Sequence, residues 1–308
     1  MALSTDVLSD RLRLKKESKR WRMLALVFLF AGLVIASVEN KNSSFSTQNT
    51  SHIARVSVTD VIVDDSKRDA MLQEIAEDSH VKAVLLRMDS PGGSTVGGEE
   101  LYRQIDELNT KKPVIVVMRT LCTSACFMAS LGAEHVFARS TSLTASIGVL
   151  LDAFEVTELA KKLGVEPVSV KSGALKAAPS PTEKFLPEQR AYIQSVINDS
   201  FAEFIALVVK KRHLSEETLA LVKDGRVMTG GQAYRLKLID DLGGEKEALK
   251  WLQTEKKLDA KLPIYDWEPE KDVDDWISSL KQSAGNIIFG ALHQRLDGLK
   301  SIWQPTLK

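Results

Sequence analysis

Residues 81–98 read VKAVLLRMDSPGGSTVGG. The first eight are a short apolar run, the pattern of a buried strand. A glycine-rich loop, Asp89 to Gly98, follows at once. Consecutive glycines reach φ values that other residues avoid, so their amides can point into open space and stabilise an oxyanion. A tight strand-to-helix turn is the plainer reading of the same loop. Upstream, residues 53–63 (IARVSVTDVIV) alternate and are β-branched, as a strand is. Between the two, Met71, Leu72, Ile75 and Ala76 recur at helical spacing within 67–79.

Downstream, residues 99–110 put Leu101, Ile105 and Leu108 on one helical face. A second apolar strand is predicted at 113–118 (PVIVVM), a helix at 124–133, and short strands at 135–138 and 147–151. Helices are expected at 154–164, 187–211, 215–223 and 230–237. Strand–helix units at intervals of roughly 30 residues predict parallel pairing and an α/β fold. In the tail from Asp272 to Trp303, Ile277, Leu280, Ala284, Ile287 and Ala291 form an amphipathic helical stripe. Its mixed charges favour packing on the parent domain or a neighbouring subunit over a membrane surface.

The chain has 308 residues, 44% of them hydrophobic, enough for a substantial core. Its formal net charge is zero, but the balance is uneven. Arg11, Arg13, Lys15, Lys16, Lys19, Arg20 and Arg22 crowd the first 22 residues and leave the body slightly acidic, with no electrostatic footprint for nucleic acid. From Met23 to Val38 no charge occurs. That run is a little short of the ~20 residues that span a bilayer, with Trp21 and Arg22 suited to the interface. It reads as an uncleaved anchor. A cleaved signal peptide, from the small residues of IASVEN, and a buried core helix are the competing readings. The basic flank places the N-terminus in the cytoplasm and the rest across the membrane. Residues 39–52, rich in Ser, Asn and Thr, have a linker composition.

Two further segments carry chemistry. In TLCTSACFMA (120–129), small and hydroxyl residues stand between a buried strand and an apolar helix. Ser124 is thereby placed at a helix N-terminus on the C-terminal edge of the sheet, where α/β folds bind ligands. A helix N-cap is the competing reading. In VKSGALKAAP (170–179), Lys176 lies among Ala174, Leu175, Ala177 and Ala178 with no acid close in sequence. A lysine in apolar surroundings loses charge stabilisation, and its neutral amine can accept a serine proton. A solvated loop lysine is the alternative. Cys122 and Cys126 would lie one turn apart on a helix, where disulfide geometry is rare, so they are expected to act as small apolar residues. Without a Cys/His cluster they make no zinc site, and neither metal nor cofactor is expected. None of the five histidines has a small-residue or glycine-rich context; His135, opening a short strand, is the best placed of them.

Taken together, VKAVLLRMDSPGGS, TSACFMAS, TASIGVL, KSGALKAAPSP and DGRVMTGGQAYRLKLIDDLGG resemble, in order and spacing, the signal peptide peptidase A family. These are the S49 serine peptidases, with a Clp protease/crotonase-like fold of repeated ββα units. The resemblance covers about Ile53 to Gly244 and a single copy of the unit, as in the family's short members. It implies a Ser-Lys dyad, with Ser124 as nucleophile and Lys176 as general base. It implies that Ser146 orients the lysine and that the amides of Gly93 and Ala125 form the oxyanion hole. It also implies a homo-oligomeric ring, possible completion of the dyad across subunits, and signal peptides or other apolar peptides as substrates. Where the family commonly has Ser-Gly-Gly-aromatic, this chain has Ser124-Ala125-Cys126-Phe127, which narrows the site or alters the substrate pocket. The stretch from Asp224 to Gly244 is expected to add no chemistry. A crotonase-type acyl-CoA enzyme and a non-catalytic membrane scaffold are the rival classes.

The resulting layout is a cytoplasmic basic segment (1–22), a transmembrane anchor (23–38), a linker (39–52), a catalytic domain (53–254) and a helical extension (255–308). In a bacterium this places the catalytic domain on the outer side of the cytoplasmic membrane.

Overall fold

A computed structural model describes residues 50–269, together with 21–23, 26 and 300–302. The expected anchor lies outside the described residues except for Met23 and Leu26, which are helical, and the stripe at 277–291 lies wholly outside them.

Strand β1 (His52–Thr59) leads through α1 (Ser66–Glu77) to β2 (Val81–Ser90). Asp65 caps α1, its carboxylate accepting from the amides of Lys67 and Arg68. β3 (Gly92–Ser94) and α2 (Thr95–Lys111) follow, then β4 (Val114–Thr123) and α3 (Ala125–Ser130). β5 (His135–Ala138) and β6 (Leu143–Ala145) come next. The predicted strand at 147–151 is displaced to β6, because residues 146–150 leave the sheet to line a cavity. A long excursion holds α4 (Thr157–Lys162) and returns through α5 (Pro187–Arg212) and α6 (Glu216–Val222). The chain then runs through β7 (Val227–Thr229), α7 (Gly230–Arg235), β8 (Asp241–Leu242), α8 (Glu245–Glu255) and β9 (Ile264–Trp267). A last short strand, β10 (Lys300–Ile302), pairs antiparallel with β3.

The main sheet runs β7-β6-β4-β2-β1-β9. β4 forks it: Ile115–Met118 pair with β5, and Leu121–Thr123 pair with β6. The pairings among β1, β2, β4, β5, β6 and β9 are parallel. This mixed α/β architecture is consistent with the Clp protease/crotonase-like fold. The sheet also continues past residue 254 through β9.

The apolar run of β2 is explained by burial on both faces. Val84, Leu86 and Met88 face a core closed by α1, α2, α3 and α5. Ala83 and Leu85 face a smaller core under Ala248 and Leu252 of α8. Among the described residues, α5 is the helix long and apolar enough to cross a membrane by length and composition. Its Phe204 and Val208 are nevertheless buried in the main core. Lys211 and Arg212 at its end pair with Asp106 (2.6 Å) and Asp240 (2.8 Å).

β9 is clamped to β1 by charge. Arg55 donates to both oxygens of Asp266 (2.5 and 2.6 Å) and to Glu245 (2.8 Å). These hydrogen bonds hold the Asp266 carboxyl below the usual carboxylate range. A depressed carboxyl stabilises the fold above its unfolded pKa, and that contribution is lost as pH falls through the lower folded value. Because the pair is partly exposed, Asp266→Asn is expected to cost at most about 1 kcal/mol. The urea midpoint of the variant should fall at pH 7 and match wild type once the pH is well below the free carboxyl value of ~3.9. A deficit that persists in acid would mean the clamp acts through packing instead.

Candidate active site

Ser124 sits between the end of β4 and the start of α3, with φ 58° and ψ −118°. A non-glycine residue held there stores about 1–3 kcal/mol of strain, which persists only where the surroundings enforce it. Its amide donates to Ala145 O (2.7 Å), and its carbonyl accepts from the Met128 amide (2.9 Å). At the end of β6, which pairs with the end of β4, Ala145 and the following Ser146 also have positive φ, 65° and 53°. Three strained residues therefore meet at one end of the sheet. Ser124 occupies the N-cap position of α3, but its side chain makes no capping bond to the helix.

Cys122 and Cys126 form a disulfide, with Cα atoms 5.1 Å apart. This corrects the expectation of two independent apolar residues. The two do not share a helix: Cys122 is the penultimate residue of β4, Cys126 the second of α3, and the turn at Ser124 folds one back onto the other.

The glycine loop is tied to this turn. Asp89 Oδ1 accepts from the Leu121 amide (3.0 Å), and Thr123 Oγ1 donates to Pro91 O (3.1 Å). Ile62 grips β3 from behind, donating to Gly92 O (2.8 Å) and accepting from the Ser94 amide (2.9 Å). Because backbone groups alternate sides along a strand, the Gly93 amide faces the opposite edge, where β10 pairs. A Cβ on Gly93 would lie 1.7 Å from Ile62 O, and one on Gly98 would lie 2.8 Å from Ala125 Cβ. Close approach, rather than turn conformation, requires glycine at both positions.

Ser124 is buried, 2% exposed, and lines a cavity of about 330 Å³. Ser146, Ile147 and Val149 form one wall, and Ile197, Asn198 and Phe201 of α5 form another. Lys223, Asp224 and Gly225 form the lip. Arg226 holds the Asp224 carboxyl below its usual range by hydrogen bonding, so the lip carries an ionised acid. Arg226 O also accepts from the Ser146 amide (3.0 Å). The start of the stretch from Asp224 thus lines the cavity. Its contribution is backbone and lip, which leave no motif in sequence, and the α5 wall was likewise illegible.

Lys176 is exposed and is not among the residues lining the cavity. Its turn is anchored from α5, Gln189 Nε2 donating to Ala174 O (3.0 Å). Within one chain, then, Ser124 and Ser146 both line the cavity, and Lys176 is not part of that lining. The surrounding excursion is apolar and uncovered: Phe154 is 84% exposed, Val168 88% and Val170 98%.

The histidines are engaged elsewhere. His135 lies 3.0 Å from Asp241 and packs tilted against the Trp251 ring. It pairs in register with Ile115, nine residues along β4 from Ser124, a separation of roughly 30 Å at strand rise. His52 is buried against Trp267 and Tyr265, and His80 pairs with Asp78. His213 ends α5 in the left-handed conformation. His293 lies outside the described residues. Among the described residues no group of three His, Cys, Asp or Glu could hold a metal.

Comparison with known proteins bears on this geometry. A protein of Methanocaldococcus jannaschii provisionally named a protease is 34% identical over 74% of this chain and 72% of its own. A protein of Enterococcus faecium provisionally named signal peptide peptidase SppA is 31% identical over 68% of this chain and 61% of its own. Protease 4 of Haemophilus influenzae is 30% identical over 73% of this chain, which spans only 36% of that longer protein. Residues 106–259, holding Ser124, Ser146 and Lys176, match the profile of peptidase family S49. The chain belongs to peptidase family S49.

Proposed function

We propose that this protein is a membrane-anchored serine peptidase that cleaves apolar peptides, signal peptides among them, with Ser124 as nucleophile and Lys176 as general base. The observation that carries the proposal is the Ser124 turn: a buried serine at strained positive φ that lines a cavity at the end of the sheet. Strain of this kind gathers at functional sites.

The Lys176 amine takes the Ser124 proton as Oγ attacks the peptide carbonyl. The Gly93 and Ala125 amides bind the developing oxyanion. The lysine returns its proton to the leaving amine, and water, deprotonated by the same lysine, releases the acyl group. Ser146 orients the amine. The apolar walls Ile147, Val149 and Phe201 suit an apolar side chain of the substrate.

The lysine comes from a neighbouring copy in a homo-oligomeric ring. Two features support this. Lys176 is not among the residues lining the cavity of its own chain, and the excursion bearing it exposes several apolar side chains that a second copy would cover. The disulfide supports an oxidising, extracytoplasmic setting. The uncharged run from Met23 to Val38 supplies the anchor.

A fluorophosphonate tests the nucleophile. It should stop hydrolysis of an apolar fluorogenic peptide and add its mass to the fragment containing Ser124. Labelling of a different residue, or hydrolysis that continues in fully labelled protein, would remove Ser124 from the reaction.

A further inference from the structure

We infer that the Cys122–Cys126 disulfide is a positioning element for Ser124, so that hydrolysis by this chain depends on its thiol redox state. The inference rests on the reading of Ser124 as nucleophile. The bond encloses only Thr123, Ser124 and Ala125, that is, the candidate nucleophile and one candidate oxyanion amide. Its two ends are rooted in different elements. Cys122 is in register with Ser90 on β2 and with Thr144 on β6, at the centre of the sheet. Cys126 belongs to α3, whose six residues are all buried. Both cysteines are fully buried.

The turn needs such a constraint. A helix as short as α3 is not stable by itself, and it lacks a side-chain cap. Ser124 is held at positive φ opposite two more positive-φ residues, Ala145 and Ser146, a conformation that relaxes unless several contacts enforce it. Two backbone hydrogen bonds contribute, as does the close seat of Ala125 against Gly98. The covalent bridge adds a constraint that spans the turn from strand to helix.

Reduction by a dithiol proceeds by thiol–disulfide exchange. A dithiothreitol thiolate attacks one sulfur, a mixed disulfide forms, and the second thiol closes the reagent into its cyclic disulfide. Cys122 and Cys126 each gain one electron and one proton and become thiols. Because both sulfurs are buried, attack requires the turn to open.

The test uses the full chain in detergent, wild type and Cys122→Ala/Cys126→Ala. Thiols titrated after denaturation, kcat, KM, the thermal midpoint and the rate of fluorophosphonate labelling are read before and after dithiothreitol. Oxidised wild type should show no thiols. Reduction should expose both and lower kcat and the labelling rate about 100-fold, the scale of a misplaced reacting group, with KM little changed. Glutathione disulfide should restore the rate. The double variant should be slow and indifferent to reductant while still folded at the assay temperature. Free thiols in fully active protein, or equal kcat in both redox states, would overturn the inference and leave the peptidase reading standing. A rate loss that tracks only a collapse of the thermal midpoint would also overturn it, because the bond would then serve stability alone. Protein that neither cleaves peptide nor labels in either state would defeat the peptidase reading, and the inference with it.

Discussion

Mixed oligomers of Ser124→Ala and Lys176→Ala protomers are expected to hydrolyse an apolar peptide that neither variant cleaves alone. Each single variant removes one member of a unit that acts together, so each should lose at least about 10⁴-fold in kcat. If every site takes its serine from one copy and its lysine from the next, random mixing leaves about a quarter of the sites with both groups intact. Rescue on mixing is the signature of a shared site, because no amount of mixing repairs a dyad built within one chain. The structural grounds are the absence of Lys176 from the cavity lining and the exposed apolar strap that carries it. The measurement is hydrolysis after the two variants are co-expressed, with oligomer size checked by light scattering. Two dead variants that stay dead when co-assembled would return the lysine to its own chain, by closure of the strap over the cavity. Activity surviving in Lys176→Ala alone would remove it as the base.

Gly93→Ala is expected to lose kcat by about 10²- to 10³-fold, the scale of removing an oxyanion donor. The added Cβ would overlap Ile62 O at 1.7 Å and its carbonyl carbon at 2.5 Å. Both contacts are backbone, so no side chain can swing away, and β3 must shift. The hydrogen bonds of Ile62 to Gly92 and Ser94 would break with it, at a net cost of roughly 1 kcal/mol each. Kinetics and urea unfolding on the same preparation separate the two effects. Lost stability with unchanged kcat would show that the Gly93 amide is not part of the site.

Much of the fold was legible because its signals are local. The both-face burial of β2 leaves an unbroken apolar run, and α2 carries its periodic stripe of Leu101, Ile105 and Leu108. The parallel pairing follows from strands alternating with helices. The strand predicted at 147–151 was displaced because its apolar residues line a cavity and not a sheet face, and apolar content is the same in both cases.

The site divides along the same line. Sequence alone singled out the candidates for chemistry: a serine after a buried strand, a lysine among small apolar residues and a pair of glycines after β2. It placed the chain in its family on those motifs. Only the tertiary structure decided what these residues meet. It joined Cys122 to Cys126, because their approach depends on a turn at Ser124 whose φ is enforced by β6 from a distant part of the chain. It built the cavity wall from α5 and the lip from Lys223–Gly225, elements far from Ser124 in sequence. It also left Lys176 outside the cavity of its own chain. Composition and periodicity record what a residue prefers to contact, whereas partners across a fold are set by the packing of elements that no local pattern encodes.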